Sequence, residues 1–207
     1  MSISENLLNQ VKQIKSLAEA GLVYNKENYD AERYEELRAL ALEMMSILSD
    51  LPVEQLTGFF LPETDYPTAK VDVRGLILNA EGEVLLVKET VDNKWTLPGG
   101  WADVGLTPKE NVLKEIEEET GFKAEVKRLL AVLDKRNYAH PPQPHYVYKL
   151  CYLCEITAGD FAPNFDIGEV HWFALDALPE LSEDRILEEQ LSKLVAIAKG
   201  NEAVFSD

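Results

Sequence analysis

Three glutamates, Glu115, Glu118 and Glu119, recur at spacings of three and four residues. At about 100° per residue, these spacings place the three carboxylates in one sector of a helix, with Glu117 on the other side. Like charges at these spacings repel one another, and negative charge is unfavourable towards the C-terminus of a helix. A divalent cation would remove this penalty, because Mg²⁺ and Mn²⁺ prefer oxygen ligands. The residues alone leave a metal site and a solvated acidic face equally open.

The helix that carries these glutamates has a clear start and stop in the sequence. Thr107 can cap the helix, Pro108 fits its first position, and Glu110 completes a capping box. Gly121 supplies the stop. The glycine-containing segment 98–105 precedes the helix, and its backbone N–H groups can receive phosphate oxygens. The pattern therefore predicts carboxylates beside a loop suited to phosphate.

Residues 100–122 resemble the Nudix box, G-x5-E-x7-R-E-U-x-E-E-x-G-U, in which U is a bulky apolar residue. Leu106 stands where the first Glu is expected. Lys114 stands where the Arg is expected, which keeps the charge but loses the planar fork of a guanidinium. The resemblance implies an α+β protein with a Nudix-type α/β/α sandwich and a mixed sheet, and Mg²⁺-dependent hydrolysis of a diphosphate, with Mn²⁺ as a substitute. The matching positions are Gly100, Glu115, Ile116, Glu118, Glu119, Gly121 and Phe122.

Segments 71–75, 95–105 and 179–185 also look like one Nudix subgroup. That subgroup is described as ADP-ribose or CDP-choline pyrophosphatase-like and carries an N-terminal helical extension. The resemblance implies cleavage of a nucleoside diphosphate derivative to a nucleoside monophosphate and a phosphorylated product. Two alternatives stay open: a hydrolase acting on RNA ends, and a nucleotide-sensing binding module with a degraded Nudix site.

The resemblance implies roles for individual residues. Glu115, Glu118 and Glu119 are assigned as metal ligands, with the Gly100 carbonyl as a further ligand. A general base must also take the proton of the attacking water. Glu119 is the first candidate, and Glu169, in the turn before a strand, is the second. We therefore predict Glu118, Glu119 and Glu169 as catalytic residues.

Substrate contacts are predicted from three parts of the chain. Arg74 lies inside an otherwise apolar strand, and a buried arginine needs an anionic partner, either substrate phosphate or Asp72 and its neighbours. The polar loop 134–145 is stiffened by prolines and carries groups suited to phosphate, stacking and base contacts. The third part is the glycine-containing segment 98–105. The predicted substrate-binding residues are Arg74, Trp101, Asp103, Arg136, Tyr138 and His145.

The elements that must position these residues follow from periodicity. Apolar residues at three- and four-residue steps predict two N-terminal helices, with a break at residues 21–29 and an end before Pro52. Residues 58–69 are predicted as a linker. Strands are predicted at 71–79, 83–88, 124–134, 147–156 and 169–174, with a turn at 80–82 and helices from Pro108 and over 185–199. We predict an N-terminal helical region at residues 1–60 and a Nudix hydrolase domain at 67–207. The helical stripes need a partner, and we expect them to form a homodimer.

Composition narrows the class of protein. The chain has 207 residues and a formal net charge of −17, which argues against attachment to nucleic acid or an anionic membrane by bulk electrostatics, although one RNA end stays compatible. No apolar run approaches the roughly 18–20 residues of a membrane span, and no signal-peptide pattern opens the sequence. Cys151 and Cys154 lie three apart on a predicted strand and point to opposite faces, which suits free thiols in a reducing compartment. We expect a cytoplasmic protein.

Overall fold

The computed structural model describes residues 3–24, 28–49, 51–59, 66–161, 165–200 and 202–207. The chain divides into two compact units, one of Met1–Ala69 with Pro142–His145 and the other of Lys70–Pro141 with Tyr146–Asp207. Among the helices of the described residues, none combines the length and apolar character needed to cross a membrane.

The first unit contains three helices: α1 at Ile3–Tyr24, α2 at Asn28–Ser49 and α3 at Val53–Phe59. The predicted break at residues 21–29 is too wide, because α1 continues through Gly21 to Tyr24. Gly21 has a packing reason to lie in this helix, since a Cβ there would meet the ring of Tyr34 on α2 at 2.5 Å. The apolar core of the unit comprises Val11, Ala41, Leu42, Met45 and Leu56.

Helix α3 corrects the predicted linker. The linker was expected to begin at Gly58, but α3 extends to Phe59, and Leu56 of this helix packs in the core of the unit. The end of α2 before Pro52 is confirmed, and α3 starts directly after that proline. Residues 60–65 of the predicted linker lie outside the described residues.

The second unit contains two sheets. One has the order β1-β5-β4-β7 and is mixed, since β1 pairs parallel with β5, β5 antiparallel with β4, and β4 parallel with β7. The other has the order β3-β2-β6 and is antiparallel. The strands are β1 at Lys70–Ile77, β2 at Val84–Glu89, β3 at Trp95–Thr96, β4 at Lys123–Asp134, β5 at Val147–Ala158, β6 at Ile167–Phe173 and β7 at Phe205–Ser206.

The turn at residues 80–82 is present, but it does not join neighbours of one sheet. The Asn79 N–H donates to the Glu83 carbonyl at 3.1 Å, and Leu78 and Val84 form an isolated bridge. Beyond this bridge the strands separate, so β1 and β2 enter different sheets. The turn therefore carries the chain from one sheet to the other.

Helices α4 at Pro108–Thr120 and α5 at Glu188–Gly200 complete this unit. The last helix begins three residues later than predicted, because Arg185 and Ile186 are still in a turn whose N–H groups donate to the Ser182 carbonyl. The Gln190 side chain then accepts the Leu187 N–H at 3.2 Å and caps α5. The short strand β7 was not predicted from the sequence.

Two apolar clusters show that the helices cover different sides of the mixed sheet. Val112 and Ile116 of α4 pack with Cys154, whereas Leu191 of α5 packs with Cys151. Both cysteines are free, and burial raises the pKa of each thiol to about 12. The prediction that the two cysteines point to opposite faces is confirmed. The arrangement also confirms the α+β class with a mixed sheet between helices and a preceding helical region.

Candidate active site

Helix α4 is fixed at both ends by the residues that the sequence indicated. The Thr107 hydroxyl accepts the Glu110 N–H at 3.3 Å, and the Glu110 carboxylate accepts the Thr107 N–H at 2.8 Å. At the other end, Gly121 has φ of 76° and donates its N–H to the Glu117 carbonyl. The apolar face of the helix lies very close to β1, since a Cβ at Gly75 would meet the Ile116 side chain at 2.8 Å. The capping box and the glycine stop are therefore confirmed.

The loop before α4 lies against the backbone of β1. The Gly100 carbonyl accepts the Val73 N–H at 2.8 Å, and the Pro98 carbonyl accepts the Gly75 N–H at 2.9 Å. Between them, Gly99 has φ of 137°, and a Cβ there would lie 2.0 Å from the Val73 carbonyl oxygen. Only glycine fits this position, because both the dihedral angle and the contact exclude a side chain.

Two of the predicted ligand glutamates meet this loop. Glu119 accepts the Gly99 N–H with its carboxylate at 2.8 Å. A Cβ at Gly100 would lie 2.8 Å from the Glu115 carboxylate, so the missing side chain of Gly100 leaves the room that this carboxylate occupies. Burial raises the pKa of both glutamates, and that of Glu119 reaches about 8 despite the nearby Arg74 guanidinium. Burial thus disfavours the charged form of both carboxylates.

Glu118, the third glutamate, is oriented by Lys114. The Lys114 ammonium donates to the Glu118 carboxylate at 2.7 Å and lies 3.1 Å from the Asp103 carboxylate. These two hydrogen bonds raise the pKa of Lys114 well above its ordinary value. The lysine at the position of the expected arginine therefore links the helix to the loop, although with one ammonium in place of a fork.

The donor set fits a hard divalent cation. Within the part of the chain that the structure describes, no three His, Cys, Asp or Glu side chains are grouped as they would be around an ion. Glu118 is hydrogen-bonded to Lys114, and Glu119 to the Gly99 N–H. Carboxylates and the Gly100 carbonyl, which keeps a second lone pair, supply only oxygen, and a cation would offset the raised pKa values of Glu115 and Glu119. Their assignment as ligands stays a prediction.

Asn111 is a site residue that was not predicted from the sequence. Only 2% of it is exposed, and its side-chain oxygen accepts the Asp103 N–H at 2.7 Å. Its amide group lies within 3.3–3.4 Å of the carbonyls of Asp103, Leu106 and Thr107. The amide therefore fixes the turn that leads into α4. An asparagine beside the buried position Val112 was the available signal, because this residue type favours caps and turns over helix interiors.

Arg74 is buried beside Asp72. Its guanidinium contacts the Asp72 carboxylate at 2.9–3.2 Å and donates to the Leu97 carbonyl at 3.0 Å. Lys149 also contacts Asp72 from β5. Burial alone would raise the pKa of Asp72, but the two cations hold it below its ordinary value. Of the two partners considered for Arg74, Asp72 is the one present, and a substrate role for Arg74 stays a prediction.

Trp101 and Asp103 lie on the loop beside the glutamates. The Trp101 backbone bridges to Asp72, and 54% of the residue is exposed. Asp103 is held by Asn111 and Lys114. Trp101 is therefore available for contact with a ligand, whereas Asp103 orients groups of the protein.

The predicted residues of loop 134–145 have other contacts. Arg136 pairs with Asp134 and lies 5.2 Å from the ring centre of Tyr146. The Tyr138 hydroxyl donates to Asp207 at 3.2 Å. His145 belongs to the first compact unit, where its carbonyl accepts the Lys12 ammonium at 2.9 Å. The structure thus groups Arg136 and Tyr138 with the end of β4 and the C-terminal residues, not with the glutamates of α4.

Glu169 lies on a different face from α4. Its carboxylate accepts the Lys88 ammonium at 2.8 Å and lies 3.5 Å from His171. Val170, the residue between them, packs with the apolar cluster of α4. Because side chains alternate along a strand, Glu169 and His171 point to the opposite face, where His171 meets Trp95. The structure does not bring Glu169 together with Glu119.

Comparison with known proteins gives two matches along the chain. Residues 68–194 match the family described as the NUDIX domain, and residues 5–60 match the family described as a UDP-X-like, N-terminal oligomerisation domain. The putative ADP-ribose pyrophosphatase YjhB of Bacillus subtilis is 43% identical over 194 residues, which are 94% of this chain and 93% of that protein. An ADP-ribose pyrophosphatase of Methanocaldococcus jannaschii is 32% identical over 58% of this chain and 69% of its own length.

Solved structures agree with these matches. A crystal structure of a UDP-X diphosphatase is 38% identical, covers 99% of both chains and has a TM-score of 0.66. An ADP-ribose pyrophosphatase from Streptococcus suis is 34% identical and has a TM-score of 0.59, covering 68% of this chain and 100% of its own.

Proposed function

Because this chain belongs to the Nudix hydrolase family, we propose that it hydrolyses the diphosphate linkage of a nucleoside diphosphate derivative. The products are a nucleoside monophosphate and a phosphorylated remainder. The observation that carries the proposal is the position of the α4 glutamates against the loop, with Glu119 on the Gly99 N–H and Glu115 in the space at Gly100.

The relatives favour ADP-ribose and UDP-linked compounds as the first substrates to test. Two relatives with similarity over more than nine tenths of the chain are named as a putative ADP-ribose pyrophosphatase and a UDP-X diphosphatase. CDP-choline is the third candidate, from the subgroup that the sequence resembles. All three contain the same reacting group, a diphosphate diester, and differ in the base and the leaving group.

Different residues of the chain have different roles in the proposed reaction. Glu115, Glu118, Glu119 and the Gly100 carbonyl hold divalent cations, with Mg²⁺ as the proposed ion. Such cations neutralise diphosphate oxygens and make water a better nucleophile at neutral pH. Lys114 orients Glu118.

Glu119 is held from two sides. The Gly99 N–H fixes one carboxylate oxygen, and the Arg74 guanidinium lowers the pKa of Glu119 against the effect of burial. Arg74, itself fixed by Asp72, therefore favours the charged carboxylate that a cation requires. Intact Glu118 and Glu119 weigh against the alternative of a nucleotide-sensing binding module, whereas the altered Leu106 and Lys114 weigh for it.

The first compact unit is proposed to form a homodimer. It matches an N-terminal oligomerisation domain and exposes 64% of Leu17 and 79% of Ile47. Two large apolar side chains with so much exposed surface suit a second copy of the unit. The division into residues 1–60 and 67–207 remains our proposal for the domains, and the free thiols of Cys151 and Cys154 support the proposal of a cytoplasmic enzyme.

Product analysis tests the proposed function. The full chain is incubated separately with ADP-ribose, a UDP-sugar and CDP-choline, in Mg²⁺, in Mn²⁺ and with chelator, and the products are identified by mass spectrometry. We expect AMP, UMP or CMP with the matching phosphorylated remainder, and no product with chelator. Turnover of an RNA 5′-diphosphate with none of the three small compounds would favour the RNA-end alternative. Binding without turnover of any diphosphate would overturn the proposed function in favour of a nucleotide sensor.

A further inference from the structure

Glu89, the last residue of β2, lies on the side of the sheet that faces α4. It follows the buried run Val84–Val87, and strand alternation puts Glu89 on the same face as Leu85. Leu85 packs in the same cluster as Val112 and Ile116 of α4. The pairing of β2 with β6 shifts register between Lys88 and Glu89, where Gly168 of β6 has no partner in β2. The extra residue is therefore in β6, and side chains still alternate regularly along β2.

Arg185 holds one oxygen of the Glu89 carboxylate. The Arg185 Nε atom lies 2.8 Å from Glu89 Oε1, and the guanidinium is fixed in turn by Asp92 at 3.1 Å and by the Ser182 hydroxyl at 2.8 Å. The Glu89 side chain is 12% exposed. Among the described residues Arg185 is the only ion-pair partner of this carboxylate, so the second oxygen is open to a ligand.

Charges link Glu89 to the site. Its negative charge raises the pKa of Glu119 further, after the larger effect of burial, and it also raises the pKa of Arg74. Burial raises the pKa of Glu89 itself; Arg185 and Arg74 oppose this effect, and Asp92 and Asp166 add to it. Glu89 is therefore close enough to Glu119 and Arg74 for their charges to interact.

Glu115 is assigned to the cation, and three other carboxylates considered for the site already have hydrogen-bond partners. Glu119 accepts the Gly99 N–H and Glu118 accepts Lys114. Glu169, the second candidate from the sequence, accepts Lys88 on the opposite face of the sheet. Glu89 combines a fixed orientation with an open oxygen on the face of α4.

We propose that Glu89 is a further catalytic residue, which accepts the proton of the water that attacks the diphosphate. This role rests on the proposed function. The water oxygen bonds to one phosphorus, and the bond from that phosphorus to the bridging oxygen breaks with its electron pair on the leaving phosphate. The proton moves to Glu89 Oε2 and then to solvent, so that one water is consumed for each substrate.

The test compares Glu89→Gln with Glu125→Gln in the full chain. Both variants remove one charge from an ion-paired glutamate of a β-strand, since Glu125 of β4 pairs with Lys127, and glutamine keeps the shape of each side chain. For Glu89→Gln we expect kcat to fall by roughly 100-fold or more with KM within about threefold, as for loss of a general base. Above neutral pH the deficit shrinks by up to about tenfold per pH unit, because hydroxide replaces the missing base. Glu125→Gln stays within about threefold of wild type in kcat, since Glu125 is exposed and lies between Ala124 and Val126, which face α4.

The outcomes separate this role from the proposed function. An active wild type with an equally active Glu89→Gln, or with a deficit that does not change with pH, would overturn the role of Glu89 alone. A wild type inactive on every diphosphate would overturn the proposed function and this role together. If Glu89→Gln shows no cooperative thermal transition, Glu89→Asp is measured in its place. The role of Glu89 is supported if this variant keeps at least about a tenth of the wild-type kcat and the same pH dependence of kcat as wild type. A lower kcat or a different pH dependence overturns the role.

Discussion

The Glu119 carboxylate accepts the backbone N–H of Gly99 at 2.8 Å, which ties the last turn of α4 to a loop 20 residues earlier in the chain. Gly99 can present this N–H because its φ of 137° and its contact with the Val73 carbonyl admit no side chain. The hydrogen bond therefore joins the residue just before the Nudix box to a glutamate near the end of the box, and it fixes a mostly buried carboxylate that we propose as a cation ligand.

Replacement of Glu119 by glutamine is expected to abolish turnover without unfolding the chain. Glutamine keeps an oxygen for the Gly99 N–H but loses the charge that holds the cation, so kcat should fall by roughly 10³-fold. The matched control is Glu117→Gln, because Glu117 is exposed on the other side of the same helix. Steady-state kinetics and thermal unfolding of both variants measure the effect. Equal activity of the two variants would contradict the assignment of Glu119 as a ligand.

Two neighbouring glycines should respond differently to alanine. At Gly100, the nearest atoms to a Cβ would be those of the Glu115 carboxylate, from 2.8 Å, so Gly100→Ala should displace that side chain and weaken Mn²⁺ binding by about tenfold with little change in stability. At Gly99, a Cβ would meet backbone at 2.0 Å with φ of 137°, so Gly99→Ala should lower the free energy of unfolding by more than about 3 kcal/mol. Calorimetric titration with Mn²⁺ and urea unfolding separate the two effects. A Gly100→Ala variant that binds Mn²⁺ as wild type does would show that Glu115 is not a ligand.

The sequence was informative wherever local rules decide the structure. Thr107, Glu110 and Gly121 specify the ends of α4 by capping, and strand alternation puts Cys151 and Cys154 in different cores. These features depend on neighbours in the chain, so spacing alone predicts them.

Contacts between distant segments were beyond the sequence. Glu169 was the second candidate base because the family resemblance implies a carboxylate from a turn before this strand. It lies within β6 instead, and the face on which it lies depends on the pairing of β6 with β2. Glu89 gave only a weak signal, a charge at the end of an apolar strand, and Arg185, its partner, is 96 positions away. The sequence also left two alternative partners for Arg74. The structure resolves this choice through a contact between distant segments, because Lys149 reaches Asp72 only through the parallel pairing of β1 with β5.

The exposed apolar side chains of the first unit predict a dimer that a single charge can disrupt. Ile47 on α2 is 79% exposed, so an aspartate there costs an isolated chain little but would be buried unpaired in an interface. Ile47→Asp should therefore be a monomer by light scattering with an unchanged helical content, whereas Glu35→Gln, at an exposed position on another face of the same helix, should remain a dimer. Deletion of residues 1–60 is the more drastic version of the test. If both Ile47→Asp and the deletion variant are still dimers, the first unit is excluded as the interface.

His140 is expected to make the fold sensitive to acid. Its Nδ1 lies 2.6 Å from the Glu183 carbonyl, to which the neutral ring donates, and burial with the nearby Lys135 and Lys149 charges lowers its pKa from 6.5 to about 4. Between these two values the unfolded chain binds a proton that the folded chain does not, so stability is full above pH 6.5 and falls as the pH drops towards 4. This one group should cost about 2 kcal/mol of unfolding free energy at pH 5 relative to pH 7.5.

Urea unfolding at the two pH values measures this contribution as the difference between wild type and His140→Gln, because other titrating groups are common to both. Glutamine can still donate to the Glu183 carbonyl but cannot be protonated, so the variant should lose less stability on acidification than wild type does. His171→Gln is the matched control, since the His171 side chain is 62% exposed, and it should keep the dependence of wild type. A His140→Gln chain that loses as much stability between pH 7.5 and 5 as wild type would show that another group causes the acid sensitivity.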